Sequence, residues 1–343
     1  MCLAVCLIAG VNAASAQVVD SPLDSEEAKE EGLPFRGSSF SFVQSVAGNS
    51  FFKDTQLSFN PYYNLAFDLT LVWHFNRRFQ VILNQAMQVE ITDSDTTRLT
   101  REPLLSDTAG TFDALVVKQK VNAEFQWQLH TSATLSAPTS LASQAATLVL
   151  GTRLGATGTI SLPKVLEGLG LNLNVAYLHR FLRSNVVEVA SPYPCAAGPT
   201  SREFCSALGG KTNTRLGFTA TLSGELALTD KWGVSASYMH SWRRGADLAD
   251  YTFMSDDGAR EVLTEGSRLH WRNVSTIDIG VSYFVINWLG LGLNASNQFQ
   301  ELGPDSELRP PLKLADTYIG LSALLRLDEL YLTASGGPKS EED

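Results

Sequence analysis

The sequence predicts an all-β protein, a transmembrane antiparallel up-and-down β-barrel of about twelve strands. Three observations predict it. Apolar and polar residues alternate at period two along most of the chain, the pattern of strands with one oily and one wetter face. The connections between these runs alternate between short turns and mostly long polar loops, as in barrels with tight turns on one side of a membrane and larger loops on the other. Tryptophans cluster near the ends of the runs, where membrane interfaces favour amphipathic rings.

Composition narrows the alternatives. The 343 residues are 44% hydrophobic and only 18% charged, with a net charge of -10. That is too little charge for the exterior of a large soluble sandwich. A barrel in lipid inverts the arrangement, with an oily exterior and a polar lumen. Beyond the first fifteen or so residues no uncharged apolar run approaches the roughly 18 residues that a membrane-crossing helix needs. The acidic balance argues against nucleic acid as a partner.

Residues 1–16 read as a signal peptide. Cys2–Val11 is an apolar core and Ala14-Ser15-Ala16 a cleavage pattern, although no basic residue precedes the core. Residues 17–36 carry Asp20, Asp24, Glu26, Glu27, Glu30 and Glu31, a solvated acidic arm on the periplasmic side. The barrel is expected over 37–333, and 334–343 form a polar tail.

The longest hairpin is the clearest. Leu65, Phe67, Leu69, Leu71, Trp73 and Phe75 alternate with Asn64, Ala66, Asp68, Thr70, Val72 and His74. Asn76-Arg77-Arg78 breaks the pattern as a tight turn, and Phe79, Val81, Leu83, Met87 and Val89 resume it. One strand precedes this hairpin, at about 37–47. After a polar segment at 92–111, further strands are expected at about 112–121, 124–137, 146–162 and 169–183. The rest lie at about 212–228, 232–242, 270–286, 289–300 and 316–328. Short turns near Asn76, Asn122, Gly168, Asp230 and Asn287 mark one side. An even strand number puts both termini there.

Cys195 and Cys205 lie ten apart in the loop 184–211, and in an exported protein they are expected to form a disulfide. Trp73, Trp127, Trp232 and Trp288 flank the short turns, and Trp242 and Trp271 flank a long loop. Together they outline two aromatic girdles. Loop 243–269 holds Asp247, Asp250, Asp256, Asp257 and Glu265 without the ordered spacing of a calcium loop. No metal or cofactor is expected.

The pattern as a whole resembles that of the bacterial outer-membrane β-barrel proteins, which implies export to the outer membrane and a lipid partner. Leu135-Ser136-Ala137-Pro138-Thr139-Ser140 is similar to the strand exit of the barrels associated with aromatic degradation, the MetA-pathway family. That resemblance implies a transporter-like barrel. The chain departs from the common terminal aromatic signal by ending in GGPKSEED, with Leu330-Tyr331-Leu332 as the nearest substitute.

On the phase assigned above, Asp68, His74, Arg153, Arg180, Arg215, Glu225, Asp278 and Arg326 point to the lumen. Mixed charge of this kind suits a passive pore or small-solute transporter. A closed barrel that works through its outer loops is the alternative. An enzyme is not expected. His240 has the wall position of the histidine in outer-membrane phospholipases, but their His-x-Ser pattern meets Trp242 here, and Ser241 must face the other way.

Overall fold

The structure, a computed structural model, describes residues 33–50, 61–92, 101–122, 124–184, 213–245, 251–254, 260–263, 271–299 and 317–335. Twelve strands form a ring: β1 (Ser39–Ala47), β2 (Tyr63–His74), β3 (Phe79–Glu90), β5 (Thr108–Asn122), β6 (Phe125–Ala137), β7 (Leu148–Leu162), β8 (Leu169–Leu182), β9 (Thr214–Ala227), β10 (Trp232–Gly245), β13 (Trp271–Ile286), β14 (Leu289–Phe299) and β15 (Thr317–Arg326). Each pairs antiparallel with its neighbours in the chain, and β1 pairs with β15 to close the ring. Closure removes the two open edges that a flat sheet would expose, so a strand ladder survives in lipid.

Three short strands lie outside the ring. β4 (Pro103–Leu105) adds to β3, and β11 (Tyr251–Met254) pairs with β12 (Arg260–Leu263). Both additions fall in segments that the alternation marks only as polar loops. They carry too few residues for period two to show.

Burial identifies which face is oily. Leu71, Leu83, Leu173, Leu222, Ile279, Leu293 and Ile319 are exposed, and Leu154 and Leu321 each retain 60% of their surface. The only buried hydrophobic residues among those described are Ala47, Val72, Leu148 and Ala176. A soluble domain buries its large apolar side chains. This one turns them outward in a continuous belt, which only lipid accommodates. No helix among the described residues is long and apolar enough to cross a membrane; the chain crosses with strands.

Side chains that cap the backbone make the tight turns. Asn76 Oδ1 accepts hydrogen bonds from the Arg78 and Phe79 amides at 2.8 and 3.0 Å. Asn122 Oδ1 accepts from Glu124 N at 2.8 Å. Thr229 Oγ1 accepts from Lys231 N and Trp232 N at 3.3 and 3.1 Å. Asn and Thr close turns in this way because a short side chain replaces a backbone acceptor.

The turn-side end departs from the sequence reading. The twelfth strand stops at Arg326, and the chain continues as helix α2 (Leu327–Ser335), where a strand to about 328 and barrel to 333 were expected. Asp328 and Glu329 occupy the first turn of α2, where negative charge suits the helix dipole. Asp328 is 2% exposed and accepts from Glu329 N and Gly37 N, each at 2.9 Å. Leu327 N donates to Ser38 O at 2.9 Å, and Phe35 meets Tyr331 edge-on at 5.3 Å. Residues 33–36, the end of the expected acidic arm, are thus held against the barrel.

At the loop side, helix α1 (Leu141–Ala145) breaks the connection after β6. Ser140 caps it by accepting from Ser143 N at 3.1 Å. Asp107 accepts from Ser140 N at 3.0 Å and from the Ser143 hydroxyl. Thr139 Oγ1 accepts from Thr108 N and donates to Ser106 O, both at 2.8 Å. The Pro138-Thr139-Ser140 exit therefore pins two connections together. At the same end of the barrel, beside β1 and β15, burial pushes the Tyr62 phenol well above its ordinary range, and Tyr318 and Glu90 push the same way.

Candidate functional site

The face opposite the apolar belt is built from short polar side chains and a few charged ones. Its elements follow from the alternation. Once the odd residues of β6 and β8 face outward, the even residues of the same strands face the interior.

The interior of β3 to β8 carries a belt of polar side chains in separate hydrogen-bonded groups. Gln80 on β3 donates through Nε2 to Asp113 Oδ2 on β5 at 3.1 Å. His130 Nδ1 on β6 lies 2.9 Å from the same carboxylate oxygen, and its Nε2 lies 3.3 Å from Gln128 Oε1. His130 stands in register with Thr157 on β7. Asn174 Nδ2 on β8 donates to Thr157 Oγ1 at 2.6 Å, and Arg153 Nη2 donates to Asn174 Oδ1 at 3.1 Å. Thr159 also donates to Asn172 Oδ1 at 2.7 Å.

Across β10, β13, β14 and β15, four cross-strand pairs set glycine against serine or asparagine. Gly233 faces Ser282, Ser235 faces Gly280, Gly292 faces Ser322, and Asn294 faces Gly320. A Cβ added at Gly292 or Gly320 would run into the Ser322 or Asn294 side chain lying over it. Glycine there lets the partner side chain fold flat across the wall.

The eight charged residues singled out in the sequence keep the polar phase of their strands but differ in setting. Asp68 is half-buried, with Thr70 Oγ1 donating to its Oδ1 at 3.3 Å. Arg153 joins the belt just described. Asp278 Oδ2 accepts from Ser237 Oγ at 3.1 Å. Glu225 stands in register between Gly170 and Ser235, and Arg180 stands opposite Gly151. Arg215 is exposed at the loop end of β9. His74 and Arg326 belong to the turn-side end. His74 Nε2 lies 3.1 Å from Arg36 O, and Arg326 Nη2 lies 3.6 Å from Glu329 Oε1.

Of the belt only Arg153 was among the lumen residues named from the sequence; Asp113, which ties Gln80 to His130, was not. Its signal was present: it lies between Phe112 and Ala114, on the phase opposite the exposed Phe112. Cys195 and Cys205 lie outside the described residues, as do Asp247, Asp250, Asp256, Asp257 and Glu265. Trp73, Trp232, Trp242 and Trp271 are exposed, and Trp127 and Trp288 are half-exposed.

His240 differs from the reading of its strand. It lies on the outer, apolar phase of β10, yet it is only 8% exposed. Ser241 faces the other way. The hydroxyl beside His240 comes from β13: Ser275 Oγ lies 2.8 Å from His240 Nδ1 and 3.2 Å from Tyr238 Oη.

No protein-family model and no curated protein matches the sequence. Solved structures do match. An outer-membrane channel, COG4313, from Pseudomonas putida F1 aligns over 86% of this chain and 96% of its own, at 12% identity and a TM-score of 0.48. The NanC porin aligns over 84% and 98%, at 8% identity and a TM-score of 0.39. The TodX monoaromatic hydrocarbon channel aligns over 84% and 87%, at 11% identity and a TM-score of 0.31.

The fold is that of an outer-membrane β-barrel. It rests on the molecule's own features: an even ring of antiparallel strands, an apolar outer belt, and short turns at one end.

Proposed function

We propose that the protein is a passive channel for small polar solutes in the outer membrane, with Asp68, His74, Arg153, Arg180, Arg215, Glu225, Asp278 and Arg326 lining its lumen. The uneven inner wall carries this reading. On β10, β13, β14 and β15 four cross-strand pairs of glycine with serine or asparagine leave room on the inner wall, while the belt from Gln80 to Arg153 offers charge and hydrogen bonds. Solute selectivity follows from such a lining.

On this reading the barrel catalyses nothing and holds no cofactor.

Purified protein in a planar bilayer tests it. The expected result is stepwise conductance with a measurable ion preference. Arg153→Glu is expected to move the reversal potential in a salt gradient toward cation preference. Folded barrel that adds no conductance above the bare bilayer would sink the channel reading.

A further inference from the structure

The outer wall carries a polar cluster where the lipid belt should be apolar. A cleft of about 500 Å³ opens there, lined by Leu173, Ala220, Leu222, Tyr238, His240, Trp242 and Asn273. The register arranges these residues in three tiers. Leu173, Leu222 and Tyr238 are cross-strand partners in the lowest tier. Ala220, His240 and Ser275 form the middle tier, and Phe218, Trp242 and Asn273 the highest. Ala220 is small, so the cleft has depth at its centre.

The depth in the membrane follows from the strand. Trp232 and Trp242 stand ten positions apart on the outer phase of β10. At about 3.3 Å per residue and a tilt of about 40°, that spans about 25 Å, the height of a barrel's apolar band. His240 therefore lies one tier inside the loop-side boundary of the band, where acyl chains give way to polar linkages.

Polar residues within a membrane are costly and usually face the interior or mark a site. Here His240 is 8% exposed and Ser275 is 0% exposed, both on the outer phase, bonded to each other and capped by Tyr238. Trp242 packs edge-on against His240 at 4.2 Å between ring centroids. Asn273 and Trp242, both exposed, stand in the tier above this cluster. The cleft is thus apolar below, with Asn273 and Trp242 above, the profile of one lipid at the bilayer interface.

We propose that this cleft binds a single ester-linked lipid at the loop-side interface of the bilayer. Its acyl chain lies along Leu173 and Leu222, and its ester carbonyls accept hydrogen bonds from Asn273 and Trp242. The His240–Ser275–Tyr238 cluster is a positioning device that holds Trp242 in place. Ser275 is too deeply covered to meet a substrate. The inference rests on placement in a membrane, and it is independent of whether the lumen conducts.

Native mass spectrometry of the full chain tests it, with dioleoyl phosphatidylglycerol and its ether-linked analogue as probes. The expected result is one saturable adduct with the ester lipid and at least about tenfold weaker binding of the ether lipid. Ala220→Trp fills the cleft, and His240→Phe removes the positioning bond. Each is expected to weaken the ester adduct at least about tenfold while conductance stays as in the unaltered protein. Equal binding of both lipids, or unchanged binding in folded Ala220→Trp, overturns the proposal. Release of fatty acid that Ser275→Ala abolishes also overturns it, in favour of a hydrolase.

Discussion

Asp328 is a carboxylate with nearly no solvent, spent on two backbone amides from opposite ends of the chain, Gly37 and Glu329. Hydrogen bonds to a charged group contribute about 1.5–3 kcal/mol, and a buried donor left unpaired adds its own penalty. Asp328→Ala is therefore expected to lower stability by about 1.5–3 kcal/mol, read as a shifted urea midpoint in lipid vesicles. No change in the midpoint would mean that α2 and residues 33–38 hold without this bond. The sequence did not disclose this role. Asp328 sits where the strand pattern runs out, and its partner Gly37 is remote in the chain. The same limit hid Ser275. Its hydroxyl reaches His240 only through the β10–β13 register, which no local pattern encodes.

Strands were the legible elements, because membrane strands keep period two over most of their length, with register shifts such as those at Leu115–Val117 and Phe284–Ile286. The hairpin expected at Leu65–Val89 is β2 and β3, with its turn at Asn76. Helix α2 was not legible, since Leu327, Leu330 and Tyr331 have helical spacing but follow an unbroken strand. The belt on the outer face makes a sharp prediction. Leu321, 60% exposed near the middle of β15, meets Gln44 and Leu293 across the ladder. Leu321→Arg is expected to cost about 2–4 kcal/mol in a bilayer, whereas Leu169→Arg at the turn-side end of β8 costs about 0–1 kcal/mol. Equal costs in vesicle unfolding would contradict the assigned depth.

The whole molecule is asymmetric inside. Hydrogen-bonded Gln, Asp, His, Asn and Arg side chains face inward on β3 to β8, and on β10 to β15 glycine pairs with serine or asparagine at four places. If solutes pass along the small-residue side, bulk added there narrows the path most. Ser322→Trp is expected to cut single-channel conductance several-fold, while Gln128→Trp on the crowded side changes it less. Conductance in planar bilayers compares the two, and the opposite order would place the path elsewhere. Charge at Arg153 then tunes which ion passes more than how fast.

The meeting of β1 with β15 has a consequence for how the ring is made. The bond between Gly37 and Asp328 joins residues 291 positions apart. Closing a loop of that length costs about 5 kcal/mol by the logarithmic rule, before its constant term. Every other ring pairing joins strands that follow one another, so it forms at a smaller entropic cost. Ring closure is thus the late event, and the α2 bonds across that junction act as its latch. A circular permutant with the present ends joined and new ends cut in a loop would keep the shape and move the late event to another pair of strands.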